Sequence, residues 1–367
     1  MAAAAEISQD WRVNRPAISV AMSVFNNARY VEESIVGILE QSFGDFEFLI
    51  VDDGSRDESA SIIDELSRQD ARIRLFRQPN RGLVSSLNRL LGEAAAPLIA
   101  RMDGDDIALP ERFARQVDYL RSHPDVGVVG TSTHDVDEAG KIVRANADYP
   151  CDHDTLVDGI RHRSPFCHPS VMMRTDLVRA VGGYRAAFAH CEDYDLWLRL
   201  AERTRLANLP DPLLLYRRSA AQVSNRHALA QQLGSEVARL AHRERQAGRP
   251  DPIEGLGRLP SFDELDTLFG SGTAHQTRAS VALGIVHSPL ALRGEGLELI
   301  LEHVRAGGRM CGLWRTAGRL IKLREPRRAV VLALALIRAR FSRRQAVGRG
   351  ARHLPEYHLQ PLTPDPI

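Results

Sequence analysis

The chain has 367 residues, 44% of them hydrophobic and 26% charged, with a formal net charge of +1. That is an ordinary globular composition, long enough for two domains. Four cysteines (Cys151, Cys167, Cys191, Cys311) lie far apart with no C-x-x-C pair, which argues against zinc and disulfides and for a reducing compartment. The start, MAAAAEISQDW, lacks a basic region followed by a long apolar core, so it does not read as a signal peptide. The longest apolar block, Val330 to Ile337, is too short to span a bilayer.

In chain order, Ile18–Val24 reads as a buried strand by its β-branched content. After the loop Phe25-Asn26-Asn27, a helix places Val31, Ile35, Ile38 and Leu39 on one face. Phe46–Val51 is the next strand and runs into Asp52-Asp53-Gly54-Ser55. Ser55 with Glu58 three residues on has the form of a capping box, so a helix is expected to start there, with Ile62, Ile63 and Leu66 as its core stripe. Arg72–Phe76 is a third strand, Asn80-Arg81-Gly82 a turn, and Leu83, Leu87, Leu90 and Leu91 mark a third helix. The apolar run Leu98-Ile99-Ala100 leads to a fourth strand that ends in three carboxylates within four residues, Asp103-Gly104-Asp105-Asp106.

Four apolar strands separated by three helices predict an α/β fold, a mostly parallel sheet covered on both faces. Ligands of such sheets sit beyond the carboxyl ends of the strands, where Asn26, Asp53, Asp103 and Asp105 fall. Carboxylates this close repel unless a cation neutralises them, and Mg²⁺ or Mn²⁺ takes one or two carboxylates plus substrate phosphates. An EF-hand fails on spacing, because the twelfth position from Asp103 is Ala114. The plainer alternative is an acidic loop before the helix Pro110–Ser122, with Asp106 near its positive end.

Val126–Gly130 is a further strand, and Thr131 to Tyr149, with Glu138-Ala139-Gly140 at its middle, predicts a hairpin. His168-Pro169-Ser170, the strand Val171–Arg174, a short helix and the turn Gly182-Gly183-Tyr184 follow. Glu192-Asp193 opens a helix whose Leu196, Trp197 and Leu200 face the core; acids there also suit the helix dipole. Leu213–Tyr216 is the last strand of this unit. From about residue 228 helical patterns dominate, with a Pro/Gly-rich break at Gly248–Pro260. The expected division is an extension over 1–15, an α/β domain over 16–226 and a mainly helical, basic region over 227–367.

Six pieces in this order resemble the family 2 inverting glycosyltransferases of the GT-A fold, in particular bacterial enzymes that build polysaccharides or lipid-linked glycans. They are Val20–Asn27, Val51–Ser55, Asn80–Gly82, Ala100–Ile107, His168–Ser170 and Glu192–Trp197, within roughly residues 16–224. The resemblance implies a metal-dependent, hexosyltransferase-type enzyme that moves a sugar from a nucleotide-diphosphate donor, a UDP-sugar by preference, to a hydroxyl of a glycan or lipid-linked acceptor. It assigns Asp53 to the nucleotide base, Asp103 and Asp105 to the D-x-D pair for ribose and divalent metal (Mn²⁺ or Mg²⁺), and Asp193, with Glu192 beside it, to the catalytic base. Phe25, Asn26 and Arg81 join the donor side.

Two departures stand out. Relatives often carry Tyr-Arg-x-His where this chain has Tyr216-Arg217-Arg218-Ser219, so the expectation is that either Arg217 or Arg218 meets the phosphates, or the metal keeps water in the histidine's place. The Q-x-x-R-W motif of processive members is absent, which favours single transfers. Two other classes compete. A nucleotidyltransferase needs a glycine-rich basic loop after the first strand, and Phe25-Asn26-Asn27 has neither feature; a non-catalytic nucleotide-sugar binder or scaffold is the other. His168 and Cys191 read as packed residues of the loop and helix start.

Between Arg305 and Arg352 there are fourteen Lys/Arg against one acid, Glu325. Ala329–Ile337, flanked by Arg327, Arg328, Arg338 and Arg340, reads either as a buried helix with basic ends or as one lying on an anionic membrane surface. Nucleic acid is not an expected partner, since the tail lacks stacking aromatics. The expected location is cytoplasmic, with peripheral attachment to the inner face of the membrane.

Overall fold

The computed structural model describes residues 15–146, 149–218 and 227–348. They divide into two compact units, within Met1–Ser219 and Ala220–Ile367. Ser219 and the expected boundary near residue 226 lie outside the described residues, as do residues 1–14.

The first unit runs β1 (Ile18–Val24), α1 (Val31–Leu39), β2 (Phe46–Asp52), α2 (Ser59–Gln69), β3 (Ile73–Arg77), α3 (Leu83–Glu93), β4 (Leu98–Asp103), β5 (Ile107–Ala108) and α4 (Arg112–Ser122). It continues with β6 (Val126–Val136), β7 (Ile142–Asn146), α5 (His153–Ile160), β8 (Met172–Arg174), α6 (Thr175–Ala180), α7 (Glu192–Ala201) and β9 (Arg205–Arg217). One sheet holds all nine strands in the order β3-β2-β1-β4-β8-β6-β9-β5, with β7 on β6. As the hydrophobic runs predict, β1 to β4 are parallel, and β1, β2 and β4 are buried on both faces: Ile18, Val20, Met22, Phe48 and Ala100 on one side and Ala21, Leu49, Val51 and Ile99 on the other are all 4% exposed or less. The other half is mixed, because β8 is antiparallel to both β4 and β6 while β6 and β9 pair in parallel.

Three local differences from the sequence reading matter. Helix α2 begins at Ser59 rather than Ser55. The Ser55 hydroxyl accepts from the Asn26 N–H at 3.0 Å, and Asp57 accepts from the N–H groups of Ser59 and Ala28 at 3.0 Å each. A tertiary bond thus outcompetes the local capping box. The last strand is far longer than Leu213–Tyr216, because β9 lies along β6 for most of its length. Strand β5 was not readable at two residues, yet it pairs Ile107 with Leu215 and Ala108 with Leu214.

The second unit is helical: α8 (Ala228–Gln246), α9 (Leu265–Phe269), α10 (Thr273–Gly284), α11 (Pro289–Arg293), α12 (Gly296–Arg305), α13 (Leu313–Lys322) and α14 (Pro326–Gly348). Its core gathers Val281, Ile300, Leu320, Leu332 and Leu336, all 1% exposed or less. Among the described residues, no helix is long and apolar enough to cross a membrane.

Candidate active site

The parallel strands deliver their acids to one rim. Ser23 is opposite Val51 on one side and Asp103 on the other, so Asp53 and Asp103 leave strands two positions apart, about 10 Å at ordinary strand spacing. Asp53 is 2% exposed and its carboxylate is already engaged. Oδ1 accepts from Gln78 Nε2 at 2.8 Å and Arg81 N at 2.9 Å, and Oδ2 from Gly82 N at 2.8 Å. Asp53 therefore shapes the Asn80-Arg81-Gly82 turn, while the Arg81 side chain is exposed.

On the adjacent loop, Phe25 is 48% exposed, and Asn26 adopts φ 50° with its Oδ1 accepting from Arg56 N at 2.8 Å. Gly104 works by space and not by backbone freedom. A Cβ there would stand 3.0 Å from Asn27 Nδ2 and 3.4 Å from the Val24 side chain, so the acidic turn can lie against the first loop.

Asp103, Asp105 and Asp106 each offer a carboxylate oxygen, and these lie within 4.8 Å of one another. Burial and the Asp103 charge push Asp105 up to about 6. Asp106, 1% exposed, is raised well above the ordinary range by burial and by Asp105 and Asp103. Its Oδ1 accepts from Arg217 N at 2.8 Å, whereas its Oδ2 is buried with no hydrogen-bond partner among the described residues. A divalent cation fits this donor set, since hard oxygen ligands, mutual repulsion and an orphaned oxygen are all relieved by it. Asp106 belongs to this group; the sequence left it as a helix-start acid.

Arg101 is the residue the sequence reading missed. It sits inside β4, two positions before Asp103 and so on the same face of the strand, where it forms an ion pair with Asp103. The signal was there, a charge inside an apolar strand in step with a site acid. Arg101 is 3% exposed. Burial opposes its charge, but Asp103 overrides this and holds it firmly protonated. The same guanidinium acts on the second acid pair. Glu192 is pushed up to about 7 by burial and by Asp193, with Arg101 pulling the other way. Asp193 is raised by burial, against the Tyr194 N–H at 2.7 Å and the Arg101 charge, and it also feels Asp103. The segments around 103 and 193 therefore share one electrostatic site. Glu192 Oε2 is buried without a hydrogen-bond partner among the described residues. Just before it, His190 takes φ 71°, a strained conformation for a side-chain-bearing residue.

Arg217, one of the two arginines expected at the phosphates, lies beside the acidic turn. Its guanidinium is committed to protein groups: Nε donates to the Asp105 carbonyl at 2.8 Å, Nη1 to the Asp137 and Glu138 carbonyls at 3.2 Å, and Nη2 to Glu33 at 2.6 Å. It also stacks 4.4 Å from the Tyr30 ring. Its work is to clamp the acidic turn, which the β5–β9 pairing brings beside it. Arg218 is the half-exposed alternative, 3.0 Å from Asp135. Burial and the charges of Asp106 and Asp103 push the Cys167 thiol well up, while Arg101 and Arg218 pull it the other way. His168 is held neutral by burial and Arg101, hydrogen-bonds the Tyr184 hydroxyl at 3.0 Å and packs edge-on to Trp197.

A mixed sheet whose parallel strands end in a D-x-D-type acidic turn, faced by a second acid pair, is the GT-A architecture of nucleotide-sugar enzymes. Glycosyl transferase family 2 matches residues 19–182. EpsE of Bacillus subtilis, a putative glycosyltransferase, is 38% identical over 192 residues, 51% of this chain and 67% of that protein. WbnJ of Escherichia coli, an O-antigen biosynthesis glycosyltransferase, is 33% identical over 204 residues, 54% of this chain and 79% of that protein. The structure of S. aureus TarS 1-349 in complex with UDP-GlcNAc superposes with a TM-score of 0.53 at 16% identity, covering 91% of this chain and 92% of TarS. The chain belongs to glycosyl transferase family 2.

Proposed function

We propose that this glycosyltransferase moves a sugar, a hexose by preference, from a nucleoside-diphosphate donor to a hydroxyl of a glycan or lipid-linked acceptor in one inverting displacement. A UDP-sugar is the favoured donor, and TarS was solved with UDP-GlcNAc. One observation supports the reading: the buried Arg101, ion-paired with Asp103, is near enough to the distant pair Glu192–Asp193 for its charge to act on both.

In this reading Asp193 accepts the proton of the acceptor hydroxyl as that oxygen bonds to the anomeric carbon. The bond from that carbon to the diphosphate breaks on the opposite face, and its electron pair leaves with the phosphate oxygen. Arg101 favours the carboxylate form that Asp193 needs and steadies Asp103. Glu192 lies beside the base with a carboxyl that titrates near neutrality. Asp103 and Asp105, with Asp106 behind them, are the residues to hold Mn²⁺ or Mg²⁺, which when bound supplies positive charge against the leaving diphosphate. Asp53, through the turn it holds, and Phe25, Asn26 and Arg81 form the nucleotide side; Arg218 takes the phosphate role instead of Arg217. The setting proposed is the cytoplasmic face of a membrane.

The test is Asp193→Asn assayed with a panel of UDP-, GDP- and dTDP-sugars. Nucleotide binding is retained and transfer is lost; transfer at the parent rate would refute the base assignment.

A further inference from the structure

Helix α14 is apolar on two opposite sides. At 3.6 residues per turn, Ala329, Leu332 and Leu336 share the side buried in the second unit's core. Val330, Leu334, Ile337 and Phe341 recur at steps of four, three and four on the other side, where they are 57%, 48%, 41% and 60% exposed. A surface helix ordinarily turns a polar face to water; this one turns a second apolar stripe.

Basic side chains frame that stripe. By the same helical geometry Arg327 and Arg338 lie along one flank and Arg340 along the other, all three exposed. On α13, which packs on α14, Trp314 and Ile321 are two turns apart and 49% and 62% exposed, each followed by an exposed cation, Arg315 and Lys322. The lone acid of this stretch, Glu325, faces Arg293 and Arg328 at 3.5 Å each and offsets little. A protein groove would account for the apolar stripe but gives no reason for cations on both shoulders. The boundary between acyl chains and anionic headgroups accounts for both: apolar side chains enter it, guanidinium groups meet phosphates, and their stems lie along the interface.

From this juxtaposition we infer that the outer face of α14 is a docking surface for an anionic lipid bilayer, lying in the headgroup plane and not crossing it. The inference stands apart from the sugar-transfer reading, because none of its residues is in the active site.

The test is co-sedimentation of the full chain with phosphatidylcholine vesicles and with vesicles containing about a quarter phosphatidylglycerol. The chain pellets with the anionic vesicles, less so at high salt. The double variant Leu334→Gln/Phe341→Gln binds at least about tenfold more weakly, with an unchanged circular dichroism spectrum because both side chains already face water. Arg338→Gln/Arg340→Gln loses the preference for anionic lipid. Failure to pellet with either vesicle, or equal binding of parent and Leu334→Gln/Phe341→Gln, overturns the inference. So does a dimer that forms with concentration and is abolished by the glutamine variants, which would assign the face to a second copy.

Discussion

Two buried charge clusters of the first unit stand in contrast. Around Asp195, one fully buried carboxylate meets two guanidinium groups. Arg185 Nε donates to it at 2.9 Å, and Arg199 donates through Nε at 3.0 Å and Nη2 at 2.7 Å. Arg199 also donates to the carbonyls of Val181 and Gly183 at 2.6 and 2.8 Å. That cluster is closed and ties α7 to the glycine turn. Around Arg101 the ratio is reversed: one guanidinium pairs with Asp103 and its charge also acts on Asp105, Asp106, Glu192 and Asp193, with Asp106 Oδ2 and Glu192 Oε2 lacking hydrogen-bond partners among the described residues. The first arrangement is what a fold needs, and the second is what a ligand completes. Both kinds sit on α7, where Asp195 fixes the helix that presents Asp193.

Substitutions should therefore separate activity from stability. The largest effect is expected at Asp193. Asp193→Asn lowers the transfer rate by roughly 10²–10⁴-fold with thermal stability retained, read by product formation alongside a melting curve. Asp195→Ala does the reverse first. Leaving two buried guanidinium groups unpaired costs about 3–5 kcal/mol, measured by urea unfolding, and activity falls because the folded population does. Asp105→Asn removes one of the crowded charges, so without metal it is at least as stable as the parent, while the melting shift that Mn²⁺ gives the parent is reduced.

The smallest effect is a pH dependence. Glu192 has a folded pKa of about 7, raised from an ordinary 4.5. The native state therefore holds a proton that the unfolded chain has released, and stability falls as pH rises through that window. Glu192→Gln flattens this fall, gaining stability over the parent at pH 8 relative to pH 5 in paired melting curves.

The parallel half of the fold was legible because each strand is an apolar run cut off by polar residues, and that cut places Asp53, Asp103 and Asp105 at one edge. What escaped was tertiary. Arg101 hid inside a strand, and its meaning appears only when the 192–193 segment comes to face it. Arg217 sits next to a family landmark, but the two-residue strand β5 turns it into a clamp for the acidic turn. Ser55-x-x-Glu58 is a sound local signal overridden by the Asn26 loop. In the second unit, the run Ala329–Ile337 announced a helix, but no pattern in it tells which apolar side faces the core.

The account depends most on the Arg101 cluster being incomplete without cation and nucleotide. Calorimetric titration of UDP into the protein, with and without Mn²⁺, for the parent and for Asp103→Asn/Asp105→Asn, tests this directly. Binding by the parent that requires Mn²⁺ and is lost in the double variant is the predicted result. Equal UDP affinity in all four titrations would contradict it.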